Sequence, residues 1–180
     1  MNAPQIITVS GLPGSGTSTA CDHLCAGLGW AYVNAGELFR QLAQESGLSL
    51  AEFGRQAERD GRIDRQLDEL MVARARAEAP IVIEGRLTGW MAHRHELKAL
   101  KVWLKAEFEI RAERLGHRES KPVAQAMEEM REREGSEARR YEEHHHIDCD
   151  DLSIYDLVID SGSVDAQAVV ARIFAQLGRS

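Results

Sequence analysis

The stretch Gln5-Ile-Ile-Thr-Val-Ser-Gly-Leu-Pro-Gly-Ser-Gly-Thr-Ser-Thr19 decides how this chain folds. Its first six residues, Gln5–Ser10, are mostly apolar and β-branched, which is typical of a short buried strand. A glycine-rich turn follows at once, and a helix is predicted from Ser18 to Leu28. A strand, a tight glycine turn and a helix in this order indicate the first unit of an α/β sheet.

The turn between this strand and this helix is similar to a phosphate-binding loop. In the pattern G-x-x-x-x-G-K-[ST], the glycines correspond to Gly11 and Gly16, and Ser18 supplies the hydroxyl that binds Mg²⁺. These glycines, with Gly14 as a third, let phosphate oxygens approach main-chain N–H groups at the positive end of the helix. Thr17 stands where the pattern has lysine, so arginines from elsewhere are expected to supply that charge. The alternative is a tight turn that binds no ligand.

Strands and helices alternate along the rest of the chain. Further strands are predicted at 30–33, 81–84, 100–104 and 157–160, and helices at 37–45, 49–61, 63–78, 107–118, 122–142 and 164–177. Five short strands of the buried type, separated by helices, predict a parallel, doubly wound α/β sheet. A length of 180 residues predicts a single domain over 1–180, with the charge-rich segment 111–143 as its candidate lid.

The composition excludes several classes of partner. Lysine and arginine number 22 and the acidic residues 29, which gives a net charge of −7. An acidic chain lacks the basic face of proteins that bind duplex DNA or anionic membranes. No apolar run reaches the roughly 20 residues that span a bilayer, and no signal-peptide pattern is present. We therefore expect a cytoplasmic monomer that binds neither nucleic acid nor membrane.

Two positions outside the turn extend the candidate anion site. Glu84 ends the third strand, where a carboxylate beside a phosphate loop would hold Mg²⁺ through water. Gly36, just after the second strand, permits close backbone approach, and Arg40 follows it by four residues. The alternatives are that Glu84 is a solvated strand end and that Arg40 is an ordinary surface residue.

A stripe of charged residues lies in the candidate lid. Arg133, Glu137 and Arg140 have the spacing i, i+4, i+7, which places them on one side of a helix. Two arginines on such a stripe would clamp phosphoryl oxygens while Glu137 orients one of them. The alternative is an exposed helix with many ion pairs, since arginine and glutamate are frequent throughout this segment. A break of the helix at Gly135 is also open.

Six motifs together resemble the cytidylate kinases, in particular their short archaeal-type branch. They are G-L-P-G-S-G-T-S-T from Gly11, N-A-G-E-L-F-R from Asn34, I-E-G-R-L-T-G-W from Ile83, L-K-A-x4-R-x2-R from Leu104, R-E-R-x3-E-A-R-R-Y from Arg131 and D-D-L-S-I-Y-D-L-V-I from Asp150. That branch also has threonine where most phosphate loops have lysine, so Thr17 fits the resemblance. It implies a P-loop kinase fold with a helical NMP-binding region at about 35–78 and a lid at about 111–143.

The resemblance further implies an ATP-dependent nucleoside monophosphate kinase that phosphorylates CMP, and also dCMP, in pyrimidine nucleotide metabolism. At the matching positions, Arg40 and Arg86 would hold the acceptor phosphate, and Arg114 would lie against adenine. Arg86 would act in catalysis together with Arg133 and Arg140, which close from the lid. The residues that would wrap the ATP phosphates are Gly14, Ser15, Gly16, Thr17, Ser18 and Thr19, and Ser18 would also bind Mg²⁺.

The residues that read the base transfer less directly. Ala35 and Leu87 stand where longer bacterial cytidylate kinases have serine and aspartate. Asp64 and Asp68 are the nearby carboxylates that would accept a hydrogen bond from the cytosine amino group, unless they form a solvated helix face. Two other functions stay open. One is a kinase for another acceptor, such as UMP, AMP or a small metabolite, and the other is an ATP-binding regulatory module that transfers no phosphate.

Overall fold

A computed structural model describes residues 4–178 and contains a five-stranded sheet with helices on both faces. Its strands are β1 (Ile6–Gly11), β2 (Ala31–Asn34), β3 (Ile81–Glu84), β4 (Ala99–Lys105) and β5 (Leu157–Asp160). Its helices are α1 (Thr17–Leu28), α2 (Ala35–Glu45), α3 (Leu50–Arg59), α4 (Arg62–Ala77), α5 (Thr88–Arg94), α6 (Phe108–Glu119), α7 (Val123–His145) and α8 (Ala166–Gln176). Neighbouring strands are parallel, in the order β2-β3-β1-β4-β5, which confirms the predicted parallel α/β sheet.

Two apolar layers bury the sheet, because its central strands are apolar on both faces. In β1, Ile7 and Val9 pack in one layer with Leu24 of α1 and with α8. Ile6, which precedes them on the same strand, packs in the other layer, with Met71 of α4 and with α5. Since helices cover both faces, the carboxyl edge of the strands is where a ligand can enter.

The order of the strands brings the ends of β1, β2 and β3 together at this edge. Val9 near the end of β1 is paired with Glu84 at the end of β3, and Glu84 is paired with Asn34 at the end of β2. The glycine-rich turn leaves β1 only two residues after Val9. The fold therefore places Glu84 directly beside the turn.

Helix α5 was not predicted from the sequence. It has only seven residues and includes Gly89, which weakens the helical pattern. A Cβ atom on Gly89 would lie 2.3 Å from the ring of Tyr155, so the glycine lets the helix pack against that tyrosine. A residue chosen for a long-range contact leaves no local signal.

The candidate lid contains two helices. Ser120 ends α6 with a φ of 54°, and α7 begins after Pro122. Gly135 does not interrupt α7, which continues to His145. Among the described residues, no helix combines the length and the apolar character that crossing a membrane requires.

Candidate active site

The glycine-rich turn has the conformation of an anion-binding cradle. Gly14 and Gly16 have φ angles of 81° and 84°, a region that favours glycine. A Cβ atom on Gly14 would lie 2.4 Å from the carbonyl oxygen of Arg111, so no other residue fits there without a shift of the backbone. Thr17 is the first residue of α1, and the unpaired N–H groups of this helix terminus therefore adjoin the turn.

Side chains from distant segments hold the turn in place. The buried guanidinium of Arg111 on α6 donates a hydrogen bond to the carbonyl of Pro13 at 3.1 Å. The hydroxyl of Ser161, after β5, donates to the carbonyl of Ser15 at 2.7 Å, and Arg114 donates to the carbonyl of Ser161 at 2.7 Å. The shape of the turn thus depends on α6 and on the end of β5.

A cavity of about 480 Å³, which we name the loop pocket, lies between the turn, α6 and α8. Residues 14–19 of the turn line one end of it, and Arg114 lies beside them. The remaining wall is largely apolar and includes Leu104, Leu115, Val164 and Val169. An anion cradle that continues into an apolar slot suits a ligand with phosphates at one end and a flat base at the other.

Glu84 is not a solvated strand end, because it is only 6% exposed. Its Oε1 accepts hydrogen bonds from the hydroxyls of Thr17 and Ser18, both at 2.7 Å. Its Oε2 accepts from Nδ2 of Asn34 at 2.6 Å and from the hydroxyl of Tyr32. Burial and the hydrogen bond to Glu84 raise the pKa of Tyr32, which keeps it a donor. Four neutral groups therefore fix both carboxylate oxygens.

The residues predicted to bind Mg²⁺, Ser18 and Glu84, are in contact, and their oxygens are the hard ligands that this ion prefers. None of the ion pairs among residues 4–178 involves Glu84. A buried carboxylate is costly unless a cation or several hydrogen bonds compensate it. The donor set and the unmatched charge both fit a divalent cation.

A second cavity, of about 670 Å³, meets the loop pocket at the turn, and we name it the arginine pocket. All four arginines predicted to bind or close on the acceptor side line it: Arg40, Arg86, Arg133 and Arg140. Gly36, Asp64, Asp68, Glu137, Ala35 and Leu87 line it as well. Gly14, Thr17, Ser18 and Arg118 line both pockets, so ligands in the two pockets would meet at the turn.

Glu137 joins the candidate lid to the turn. Its Oε2 accepts a hydrogen bond from Nε of Arg86 at 3.0 Å, and its Oε1 accepts from Nε of Arg133 at 2.8 Å. Arg86 also donates to the carbonyl of Gly11 at 3.0 Å. Burial alone would raise the pKa of Glu137, but the charges of Arg86 and Arg133 outweigh it and hold that pKa below its usual value. One anion thus lies between two guanidiniums beside the turn.

Arg140 and Asp64 form a buried ion pair on the α4 side of the arginine pocket. Nε of Arg140 lies 2.9 Å from Oδ2 of Asp64, with both side chains less than one tenth exposed. Within residues 4–178 neither of these two atoms has a hydrogen-bond partner. Burial raises the pKa of Asp64, and the charge of Arg140 opposes that rise. Charge at close range, rather than a hydrogen bond, therefore holds this pair together.

Asp68 and His145 lie next to this pair and are not part of a solvated helix face. Nδ1 of His145 lies 3.3 Å from Oδ2 of Asp68, with the histidine side chain 6% exposed. Burial, followed by the charge of Asp64, raises the pKa of Asp68 to about 7. Burial, followed by the charge of Arg94, lowers the pKa of His145 to about 4. Near neutral pH their contact is therefore not a full ion pair.

The predicted stripe on α7 divides between two environments. Arg140 is buried, whereas the side chain of Arg133 is 54% exposed although it contacts Glu137. Arg40 is exposed at the rim of the arginine pocket and, within the described part of the chain, makes no hydrogen bond or ion pair. The alternative of an exposed helix with many ion pairs therefore does not describe the buried Arg140.

Sequence reasoning missed three residues of the site. Arg118 lines both pockets and follows Arg114 by four residues on α6, a spacing that would have indicated a shared helix face. Tyr32 and Asn34 have the i, i+2 spacing of one face of β2, next to Glu84. Asn34 also caps α2, since its side chain accepts from the N–H of Glu37 at 3.1 Å. Only the pairing of β2 with β3 shows that these residues contact the carboxylate.

Comparison with known proteins agrees with this geometry. The chain is 45% identical over 167 residues to a cytidylate kinase from Haloarcula marismortui, covering 93% of this chain and 86% of the relative. It is 48% identical over 161 residues to a cytidylate kinase from Methanococcoides burtonii, covering 89% and 90%. A gluconokinase structure from Sinorhizobium meliloti superimposes with a TM-score of 0.63 at 15% identity, covering 99% and 94%, which shows the P-loop kinase fold alone.

The family comparison covers most of the chain. The model of the cytidylate kinase-like family matches residues 6–163. This range begins at β1 and ends just after β5, so it includes the glycine-rich turn, Glu84 and every arginine of the two pockets. The chain therefore belongs to the cytidylate kinase-like family.

Proposed function

We propose that this chain transfers the γ-phosphoryl group of ATP to CMP, giving ADP and CDP, and that it also accepts dCMP. The observation that carries the proposal is the meeting of two pockets at one glycine-rich turn. One pocket combines an anion cradle with an apolar slot, and the other is lined by five arginines. The relatives named cytidylate kinase, 45% and 48% identical, support CMP as the acceptor.

ATP binds in the loop pocket. The main-chain N–H groups of residues 14–19 and of the α1 terminus bind its phosphates, and the planar guanidinium of Arg114 lies against the adenine. The hydroxyl of Ser18 and the carboxylate of Glu84, which are in contact, would hold Mg²⁺. When bound, this ion neutralises part of the charge on the β- and γ-phosphate oxygens.

CMP binds in the arginine pocket, with its phosphate toward the turn. Arg40 and Arg86 hold the phosphate, because guanidiniums match phosphate oxygens in geometry and charge. Helices α2, α3 and α4 form the NMP-binding region, which corresponds to the predicted 35–78, and α6 and α7 form the lid at 111–143. Glu137 now occupies the place between Arg86 and Arg133 that a phosphate would take, so acceptor binding displaces it.

The far end of the arginine pocket reads the base. Asp64 and Asp68 line this end, and Oδ2 of Asp64, which now lies 2.9 Å from Nε of Arg140, exchanges that contact for the cytosine amino group when the base binds. Cytosine presents an amino donor beside ring acceptors, whereas uracil presents a carbonyl in place of the amino group. An acidic oxygen at this position therefore favours cytosine, since a buried acceptor that faces a carbonyl stays unpaired.

Catalysis requires positioning and neutralisation of charge rather than a general base. Arg86 places the acceptor phosphate in line with the donor at the turn. Arg133 and Arg140, both on α7, stabilise the charge on the transferring group and, with the lid closed, exclude water that would hydrolyse ATP. Arg118, which lines both pockets, is placed to contact the group in transfer.

A coupled assay that measures ADP release from ATP tests the proposal, with CMP, dCMP, UMP and AMP as parallel acceptors and product identity checked by chromatography. We expect CDP and dCDP as products and much lower turnover with UMP and AMP. Preferred phosphorylation of another acceptor would reassign the substrate. Tight ATP binding without transfer to any acceptor would indicate a regulatory module instead.

A further inference from the structure

Thr17 occupies the position at which the general phosphate-loop pattern has lysine, and its side chain contacts the metal-site carboxylate. Its hydroxyl donates to Oε1 of Glu84 at 2.7 Å, and the residue is 8% exposed. The same oxygen accepts from Ser18 at 2.7 Å. The general pattern has a positively charged lysine at this position, whereas this chain has a neutral hydroxyl that donates a hydrogen bond.

The side chains that hydrogen-bond to Glu84 do not balance its negative charge. Its hydrogen-bond partners Thr17, Ser18, Asn34 and Tyr32 are all neutral. Arg86 follows Glu84 by two residues, but its guanidinium is bonded to Glu137 and to the carbonyl of Gly11. The carboxylate is therefore buried and fixed in orientation, while its negative charge is not matched by an ion pair within the described chain.

A lysine at position 17 would change this balance. Its side chain would start from the same backbone position and would have the carboxylate within its reach. A buried ammonium and a buried carboxylate at contact distance attract each other strongly and form an ion pair. The negative charge of Glu84 would then be balanced by the lysine, and Glu84 would attract a metal ion less strongly.

We propose that Thr17 is a positioning residue. Its uncharged hydroxyl orients Glu84 through a hydrogen bond, so the negative charge of Glu84 stays available to attract the divalent cation that accompanies the nucleotide. The inference rests on the proposed function in taking ATP as that nucleotide. It explains why threonine in this turn is compatible with activity: the arginines line the neighbouring pocket, and the carboxylate remains free for the metal. Threonine and Glu84 thus act as a matched pair.

Calorimetric titration of the full chain with ATP, once in excess Mg²⁺ and once in EDTA, tests this inference. The ratio of the two dissociation constants measures how much the metal strengthens nucleotide binding. We expect Thr17→Val to reduce this ratio about threefold to tenfold, the effect of one lost hydrogen bond. Thr17→Ser, which keeps the hydroxyl, restores the ratio. We expect Thr17→Lys to bind metal-free ATP more tightly than the unmodified chain. Its ratio of the two dissociation constants should therefore be much smaller.

Thr88→Val is the matched control. Thr88 is a buried threonine near the same edge of the sheet, and its hydroxyl contacts Ser10 at 3.0 Å and not Glu84. This variant loses a buried hydrogen bond and some thermal stability, as Thr17→Val does, but keeps the ratio. A Thr17→Val variant with the full ratio would overturn the inference, as would a Thr17→Lys variant with a larger one. The titration contains no acceptor, so its result is independent of whether CMP is the substrate.

Discussion

The two pockets on either side of the glycine-rich turn present different chemical groups to a ligand. The loop pocket presents main-chain groups whose positions are fixed by φ angles and by hydrogen bonds from Arg111 and Ser161. The arginine pocket presents charged side chains that are mostly paired already, Arg86 and Arg133 with Glu137 and Arg140 with Asp64. The first needs no rearrangement to bind an anion, whereas the second must exchange its own carboxylates for the ligand.

This difference indicates where selectivity and response to conditions arise. A cradle of N–H groups accepts any phosphate chain of the right shape, since it reads only negative charge. A set of paired charges favours a ligand that can replace each carboxylate it displaces, because an unpaired buried charge is costly. We therefore expect changes in the arginine pocket to affect the acceptor strongly and the donor weakly.

The largest effect is expected for Arg86→Ala. The change removes the proposed donor to the acceptor phosphate and, within residues 4–178, leaves Arg133 as the one ion-pair partner of Glu137. We expect kcat/KM for CMP to fall about 10³-fold, while the dissociation constant for ATP changes by less than about threefold. Steady-state kinetics and calorimetry measure the two quantities. Equal losses for both nucleotides would show that the two pockets do not act separately.

Arg133→Ala and Arg140→Ala should each lower kcat about 10²-fold, which corresponds to about 2.7 kcal/mol. Arg140→Ala should also lower the melting temperature, because it leaves Asp64 buried without its cation, whereas the half-exposed Arg133 contributes little to stability. Arg139→Ala is the control, since this arginine is exposed and lies off the stripe. Unchanged turnover in both variants would refute the role of the lid.

Asp68→Asn tests whether the arginine pocket responds to pH. The pKa of Asp68 is raised to about 7 in the folded chain, so between about pH 4 and 7 the folded state holds a proton that the unfolded state has lost. Its contribution to stability therefore falls as pH rises through this window. The variant should become more stable than the unmodified chain, by about 4 kcal/mol at pH 8, and this gain should shrink toward pH 5. Urea unfolding at pH 5 and pH 8 measures the free energy of unfolding of both proteins. A gain in stability that is independent of pH would contradict the prediction.

Arg118→Ala addresses the boundary between the pockets and should have the smallest effect. Arg118 is largely exposed, with 63% of its side chain accessible, and its described ion pair is with the neighbouring Glu119. We expect kcat to fall about tenfold, with both KM values and the melting temperature nearly unchanged, because the contact forms with the group in transfer. Arg118→Lys should recover part of the rate. A raised KM for ATP at constant kcat would place this arginine in the loop pocket alone.

Much of the fold follows from patterns within a few residues. The strands at 81–84 and 157–160 were predicted at their observed bounds. Ser49 and Glu52 form a capping box at the start of α3, since the backbone N–H of each donates to the side chain of the other. Such features depend on backbone preference and on neighbours in the sequence, so they can be read without the tertiary structure.

The sequence by itself determined the parallel sheet, the glycine-rich turn and four of the five arginines that line the second pocket. Only the tertiary structure decided which charges meet: that Glu137 lies between Arg86 and Arg133, that Asp64 is buried against Arg140, and that Thr17 bonds to Glu84. The physical reason is one of range. Local patterns depend on contacts over a few residues, whereas the interaction of two charges depends on a distance and a degree of burial that the order of the strands and the packing of the helices set.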